Sequence, residues 1–293
     1  MALIPPFFLN TVVAIGEPAA GSDPRWIATG FLYGNLIDPS VEPNQYRVYL
    51  VTNRHVANPL RPLVVRMNPN AEGPAEILNL QPFETPSGRP FWHFHPDDEI
   101  DVAVIGVDIG VVVQKDLEYG FFESNHHAQT LAEMKASGSS VGDGVFLLGF
   151  PGATTLGSRS TVIVRNGCIA RLDDAMAGES KSFLIDSNNF PGNSGGPVVT
   201  KIEQNFITGT QGVVKSNLIG IVASYVAHQD FAVSSQTGRV RVVFEENTGL
   251  AEIYPVDAIR DVVEIAERQL ITEPELPEPS LNTESSQTPT VDD

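Results

Sequence analysis

The sequence predicts an all-β protein built as two antiparallel barrels joined by a crossover and closed by one C-terminal helix. Three observations predict it. Short apolar runs rich in Val recur between turn signals along most of the chain. These runs fall into two groups, separated by a polar segment, Lys115–Gly142, that ends in a Ser- and Gly-rich stretch. Only Pro255–Leu270 shows clear helical periodicity.

In the first group, Thr11–Ile15 is a short β-type run, and Trp26–Tyr33 follows with Gly30 in its middle. Tyr46–Thr52 reads as a strand that empties directly into Asn53-Arg54-His55-Val56. Leu63–Met67 is the next strand, and Asn68–Gly88 is mostly loop with one strand at Glu76–Leu80. Asp101–Val113 is the strongest β run of this half, with Asp108 interrupting it. The connection that follows is weakly helical around Ala128–Ala136. The second group comprises Val145–Phe150, Thr161–Arg165, Cys168–Leu172, Ser182–Asp186, Val198–Thr200, Leu218–Ser224 and Arg239–Phe244.

In Pro255–Leu270, Val256, Ile259, Val263, Ala266 and Leu270 share one face, and Asp257, Arg260, Asp261, Glu264 and Arg268 lie largely elsewhere. Pro255 sits in the first turn, where a helix tolerates proline. The predicted organisation is therefore a barrel over residues 1–115, a linker over 116–140, a second barrel over 141–254, a helix over 255–271 and an acidic tail over 272–293. The tail carries acids, prolines and hydroxyl residues with too little apolar surface to order itself.

Composition bounds the function. The chain has 293 residues, 42% hydrophobic and 18% charged, which suits a soluble globular protein with a substantial core. A net charge of −18 repels nucleic acid and anionic membrane surfaces, so neither is an expected partner. A single cysteine, Cys168, permits no intramolecular disulfide and leans towards a reducing compartment. The first residues lack a basic region and are cut by two prolines, so they do not read as a signal peptide. The expected location is cytoplasmic.

One stretch carries chemistry: Phe190-Pro191-Gly192-Asn193-Ser194-Gly195-Gly196-Pro197. Glycines cluster where a backbone takes unusual dihedrals or approaches another molecule closely. A nucleophilic serine needs both, because its Oγ must project from a tight turn beside N–H groups that hold a developing oxyanion. Such a serine needs a base. Among the six histidines, only His55 sits where a strand empties into a loop. The base needs an orienting acid, for which Asp97, Asp98, Glu99, Asp101 and Asp108 compete. Asp101 is favoured because it opens the apolar run Val102–Val107, at the edge of the core; Asp98 is second. His93 and His95 read as residues closing a loop rather than as a metal site. His126 and His127 read as exposed, Cys168 as core, and His228 as either cleft rim or exposed surface.

Thr52-Asn53-Arg54-His55-Val56, Asp101-Val102-Ala103-Val104 and Gly192-Asn193-Ser194-Gly195-Gly196-Pro197 occur in the order His, Asp, Ser. In this the chain resembles the trypsin-like serine proteases of chymotrypsin fold, and among them the disulfide-free bacterial branch that includes the HtrA proteases. Ala28-Thr29-Gly30-Phe31, Gly142-Asp143-Gly144-Val145, Gly149-Phe150-Pro151, Ile219-Gly220-Ile221-Val222 and Tyr254-Pro255-Val256 carry the resemblance over about residues 10–270.

The resemblance implies two six-stranded barrels and a His55–Asp101–Ser194 triad cleaving peptide bonds through an acyl-enzyme. It implies an oxyanion hole from the N–H groups of Gly192 and Ser194, no cofactor or metal, and protein or peptide substrates. It puts Asn188, Asn189 and Phe190 on one wall of the specificity pocket, with Ala223, Ser224, Tyr225 and Val226 on the other. With no Asp at Asn188 and no His just after Ile219-Gly220-Ile221, a small or medium apolar side chain is the expected preference.

There are departures. Asn193 stands where the mammalian enzymes carry an Asp that pairs with a freed N-terminus, so activation of that kind is not expected. Only a helix and an acidic tail follow the second group of strands, so PDZ-type substrate capture is not expected. A cytoplasmic endopeptidase needs restraint, so latency relieved by a substrate or a regulatory protein partner is expected. The alternative is an inactive protease-fold module that binds a partner.

Overall fold

The computed structural model describes residues 4–19, 22–57, 62–80, 91–153, 157–203, 213 and 215–272. A short helix, α1 (Pro6–Leu9), precedes β1 (Val12–Ala19), β2 (Ser22–Leu36), β3 (Tyr46–Thr52) and β4 (Val64–Met67). Then come β5 (Glu76–Asn79), β6 (Trp92–Phe94) and β7 (Ala103–Gly106). Helix α2 (Ile109–Gln114), β8 (Phe122–Glu123) and α3 (Leu131–Ala136) lead into the second half. That half holds β9 (Gly144–Gly149), β10 (Ile163–Arg171), α4 (Asp173–Met176), β11 (Phe183–Asp186) and β12 (Pro197–Thr200). Two long strands, β13 (Leu218–Val233) and β14 (Val240–Pro255), precede the final helix, α5 (Val256–Thr272). The acidic tail lies outside the described residues.

The second half closes into a six-stranded barrel in the order β10-β11-β14-β13-β12-β9. The first half is an eight-stranded sheet in the order β5-β4-β1-β2-β3-β7-β6, with β8 added in parallel to β2. Among the described residues no β5–β6 pairing closes this sheet. A closed barrel, a second β-sheet and a C-terminal helix make up the architecture expected of a chymotrypsin-like double barrel.

The strands divide their side chains between two cores. In β1, Val12 and Ala14 part from Val13 and Ile15; in β3, Tyr49 and Val51 part from Val48 and Leu50. In β9, Val145 and Leu147 fill the barrel, and Phe146 and Leu148 lie outside it. The core that β1, β3 and β9 share lies between sheet and barrel, and takes in Val256, Ile259, Val262, Val263 and Ala266 of α5. Both faces of these strands are buried, so their sequences read as continuous apolar runs rather than as alternation. Each fully buried side chain of this size contributes about 1.5–3 kcal/mol.

Several elements differ from the sequence reading. The run Asp101–Val113 is not one strand: β7 ends at Gly106, and α2 follows with Asp108 as its N-cap, accepting from Gly110 N at 2.8 Å. A valine-rich run looks alike in a strand and in one buried helical turn, and the cap decides. Thr161–Arg165 and Cys168–Leu172 merge into β10, where Cys168 is half-buried rather than core. Pro255 ends β14 rather than opening α5, and Leu270 is 38% exposed rather than on the packed face.

The segment 116–140 packs closely instead of bridging open solvent. Phe122 stands edge-on to Phe8 at 4.7 Å and Phe31 at 5.7 Å, and Thr130 and Glu133 form a capping box that starts α3. His126 is exposed, as expected, but His127 is not: its ring packs on Phe7 at 4.9 Å, and its Nδ1 accepts from Glu123 N at 3.2 Å.

Helix α5 is fastened by more than its apolar face. Glu267 accepts from Tyr49 Oη at 2.9 Å and Asn35 Nδ2 at 3.3 Å, and pairs with Arg47. Burial first, and the Glu267 charge second, push the Tyr49 hydroxyl above its ordinary range. Glu267→Ala leaves three donors on β2 and β3 without their shared acceptor. It should lower the unfolding free energy by about 2 kcal/mol in urea titrations, and Glu267→Gln by less.

Burial also lowers the pKa of His127. As pH falls through the ordinary histidine range, the unfolded chain takes up a proton that the folded ring refuses, so this residue subtracts stability on acidification. Between about pH 7.5 and about pH 5.5, His127→Gln should lose less stability than the parent protein.

Candidate active site

Beyond β3 the chain turns sharply. Asn53 O accepts from Val56 N at 3.1 Å and Ala57 N at 3.2 Å, which holds Arg54 and His55 in the turn. Asn53 is fully buried, and its Nδ2 donates to the Asp101 carbonyl at 2.8 Å. One amide therefore ties the turn after β3 to the segment entering β7. Arg54 adds a second tie: it pairs with Asp98 at 2.6 Å, donates at 2.5 Å to His95 O, and lies over the Phe94 ring at 5.4 Å.

These ties bring His55 and Asp101 together. Asp101 Oδ2 is 2.5 Å from His55 Nδ1, and Asp101 Oδ1 accepts the His55 backbone N–H at 2.9 Å. Held this way, the ring carries its proton on Nδ1 and leaves the Nε2 lone pair free. Asp98, the other candidate acid, is 97% exposed and engaged by Arg54.

Ser194 lies in the turn between β11 and β12. Asn193 N donates to Phe190 O at 3.1 Å and Gly196 N to Asn193 O at 2.8 Å, while Gly192 and Gly195 take φ of 100° and 83°. Two bonds lock this turn to β13: Gly195 N to Val222 O at 3.0 Å and Val222 N to Gly196 O at 2.9 Å.

A residue of the first sheet holds the turn from the other side. Thr29 N donates to Ser194 O at 2.9 Å, and Thr29 Oγ1 donates to Gly192 O at 2.6 Å while accepting from Phe150 N at 3.0 Å. Thr29 O accepts from Thr52 Oγ1 at 2.9 Å, at the end of β3. The strand that carries His55 and the turn that carries Ser194 are thus joined through Thr29. Gly195 is pressed against the same point, where a Cβ would come within 2.5 Å of Thr52 Oγ1.

The carbonyls of this turn are also occupied. Pro191 O accepts from Gly152 N at 2.7 Å, and Asn193 O from Gly196 N. A trans peptide points its N–H opposite its C=O, so Gly192 N–H and Ser194 N–H are aimed away from these anchors. Neither N–H has an acceptor among the described residues. The turn therefore presents two free donors beside a half-buried serine.

A profile described as a trypsin-like peptidase domain matches residues 28–207. The chain belongs to the trypsin-like peptidase family. The matched stretch opens one residue before Thr29 and takes in His55, Asp101 and Ser194. The long β13–β14 hairpin lies beyond it. A comparison with curated proteins finds no match.

Within this peptidase domain the structure joins His55 to Asp101 directly. Among the described residues no hydrogen bond links Ser194 to His55. Of the residues named for the pocket walls, Asn189 and Ala223 are buried, Tyr225 and Val226 half-buried, and Asn188, Phe190 and Ser224 exposed. Three of these residues are tied to β14: Asn247 Nδ2 donates to Asn189 O, Thr248 Oγ1 to Val226 O at 2.7 Å, and Tyr225 Oη to Glu245. Sequence reasoning missed Asn247 and Glu245, because nothing local marks residues 20 or more positions from the wall they brace. Thr29 and Asn53 lie inside recognisable motifs, but nothing in the sequence assigns a role to either.

Other candidates fall elsewhere. His95 Nδ1 accepts from Asp97 N at 3.1 Å and its Nε2 is 3.4 Å from Asp261, so this ring closes a loop under α5. His228 is exposed on the β13–β14 hairpin, 3.6 Å from Asp230. Asn193 is fully buried, with neither Oδ1 nor Nδ2 partnered among the described residues.

Gly195→Ala combines a positive φ with the clash at Thr52. It should cost about 3 kcal/mol or more in urea unfolding, whereas Gly142→Ala, at a φ of 95° in open space, should cost about 1 kcal/mol. Equal losses would show that the seam yields without resistance.

Proposed function

We propose that the protein is a serine endopeptidase in which His55, Asp101 and Ser194 form the catalytic triad. The observation that carries this reading is the pairing of one carboxylate with both the Nδ1 and the backbone N–H of His55, at 2.5 and 2.9 Å. It is supported by the two free N–H groups of the Ser194 turn and by membership of the trypsin-like peptidase family.

His55 Nε2 takes the proton of Ser194 Oγ as Oγ attacks a peptide carbonyl carbon. The carbonyl oxygen becomes an anion between the N–H groups of Gly192 and Ser194. Collapse of the tetrahedral adduct breaks the C–N bond, and the leaving amine takes the proton from Nε2. Water then follows the same path: it gives its proton to Nε2 and attacks the acyl ester. The carboxylic acid leaves, and Ser194 regains its hydrogen. Asp101 holds the tautomer and balances the imidazolium charge.

The proposal includes a resting state. It is the restraint an endopeptidase acting inside a cell needs, and it is relieved when a substrate or protein partner seats. The substrate preference remains a small or medium apolar side chain, between Asn188, Asn189 and Phe190 and the Ala223–Val226 strand.

A fluorophosphonate probe should label the protein, and Ser194→Ala should abolish labelling with an unchanged melt. Asp101→Asn should lower turnover by about 10⁴-fold by favouring the wrong tautomer, and Asp98→Asn should change it little. Labelling that survives in Ser194→Ala would move the nucleophile elsewhere. A protein that no probe labels, with or without peptide substrate, would favour the binding module.

A further inference from the structure

Beyond the barrel, β13 and β14 continue as a two-stranded arm, registered from Ala227↔Asn247 to Val233↔Val240. The arm is apolar on both faces. Phe231, Val233, Val240, Val242, Val243 and Phe244 are each 48–59% exposed. Cross-strand partners share a face, so Phe231 with Val243 lies on one side and Ala232 with Val242 on the other. An isolated two-stranded ribbon is marginal in water, and monomers rarely expose contiguous apolar patches of this kind.

The two edges of the arm differ. The β13 edge carries His228, Gln229 and Asp230 before Phe231-Ala232-Val233, so its apolar stretch lies at the tip and has charge at one end only. The β14 edge carries Val242-Val243-Phe244, and charge is graded along it. Arg239 and Arg241 stand at the tip, and Glu245 and Glu246 at the base. Arg239 and Arg241 have no ion-pair partner among the described residues. Laid antiparallel on a copy of itself, this strand puts the cationic tip of one arm against the acidic base of the other, on both sides of a two-fold axis. With the axis at Val243, Val243 faces its own counterpart, Val242 faces Phe244, and Arg241 stands opposite Glu245.

We propose that the β14 edge of the arm is the contact through which two copies of this chain form a closed, two-fold dimer, joining their arms into a four-stranded sheet. The occupant is a second copy because the complementarity is internal to one strand: an apolar centre with opposite charges at its two ends. It also offsets the repulsion between two chains that each carry a net charge of −18. The proposal does not depend on the catalytic reading.

The test uses sedimentation velocity on the full chain. The parent protein should dimerise in a concentration-dependent way. Arg239→Glu with Arg241→Glu makes the β14 strand of the arm wholly acidic, and Glu245→Arg with Glu246→Arg makes that strand wholly basic. Each variant alone should dimerise at least about tenfold more weakly, and an equimolar mixture should regain a heterodimer. Regain in the mixture shows that both variants are folded. Independently, Val243→Cys in a Cys168→Ser background should cross-link to itself under mild oxidation, and Ile77→Cys, on exposed β5, should not. A monomeric parent, a dimer indifferent to both charge variants, a mixture that stays monomeric, or no cross-link at position 243 would each overturn the proposal.

Discussion

The site depends on Thr29. Its N–H, its hydroxyl and its carbonyl are all used, and each reaches across the boundary between sheet and barrel or along it. The N–H holds Ser194 O, the hydroxyl holds Gly192 O and receives Phe150 N, and the carbonyl receives the Thr52 hydroxyl. A residue of β2 thus sets the distance between the end of β3 and the turn before β12. His55 and Ser194 sit on different halves of the molecule, and no covalent path shorter than the whole intervening chain relates them. Buried hydrogen bonds across the seam supply that relation, and their directionality fixes orientation as well as distance.

The seam can be this exact because it is well supported. Strands β1, β3 and β9 bury both faces, and α5 lies against the shared core with Glu267 fastened to Asn35, Arg47 and Tyr49. Packing of this density transmits displacement instead of absorbing it. The close approach of Gly195 to Thr52 and of Gly149 to Asn193 Oδ1 exists only where no side chain intervenes, so the glycines mark where backbone meets its neighbours.

Much of the fold was legible because burial on two faces writes itself into sequence as apolar runs. Tyr46–Thr52 coincides with β3 for this reason, whereas Glu76–Leu80, half-exposed in β5, was legible only between its flanking turn residues. Where the same composition serves two structures, the reading failed. Val111-Val112-Val113 belongs to a helix because Asp108 caps it, and β10 runs unbroken through Asn166 and Gly167 because β9 pairs with it there. The pairing of His55 with Asp101 was anticipated from the position of Asp101 at the mouth of an apolar run. The residues that hold this pairing and the serine turn were not, since Asn53 and Thr29 act through contacts set by the folded chain, as Asn247 and Glu245 do at Asn189 and Tyr225. Of the β13–β14 arm, Arg239–Phe244 was legible as a strand, but the extension of β13 beyond Ser224 was hidden, because Ala227–Asp230 reads as a polar turn.

The shared core has a thermodynamic consequence. Phe31 and Tyr49 of the sheet, Phe146 and Leu148 of the barrel, and Ile259 and Val263 of the helix belong to one cluster. If either half melted alone, the other would be left with an apolar flank in water, and the two clusters interior to each half do nothing to relieve that penalty. Partial unfolding is therefore disfavoured relative to losing everything together. The two halves form a single cooperative unit, in which the heat-labile species is the whole molecule and not the sheet or the barrel alone.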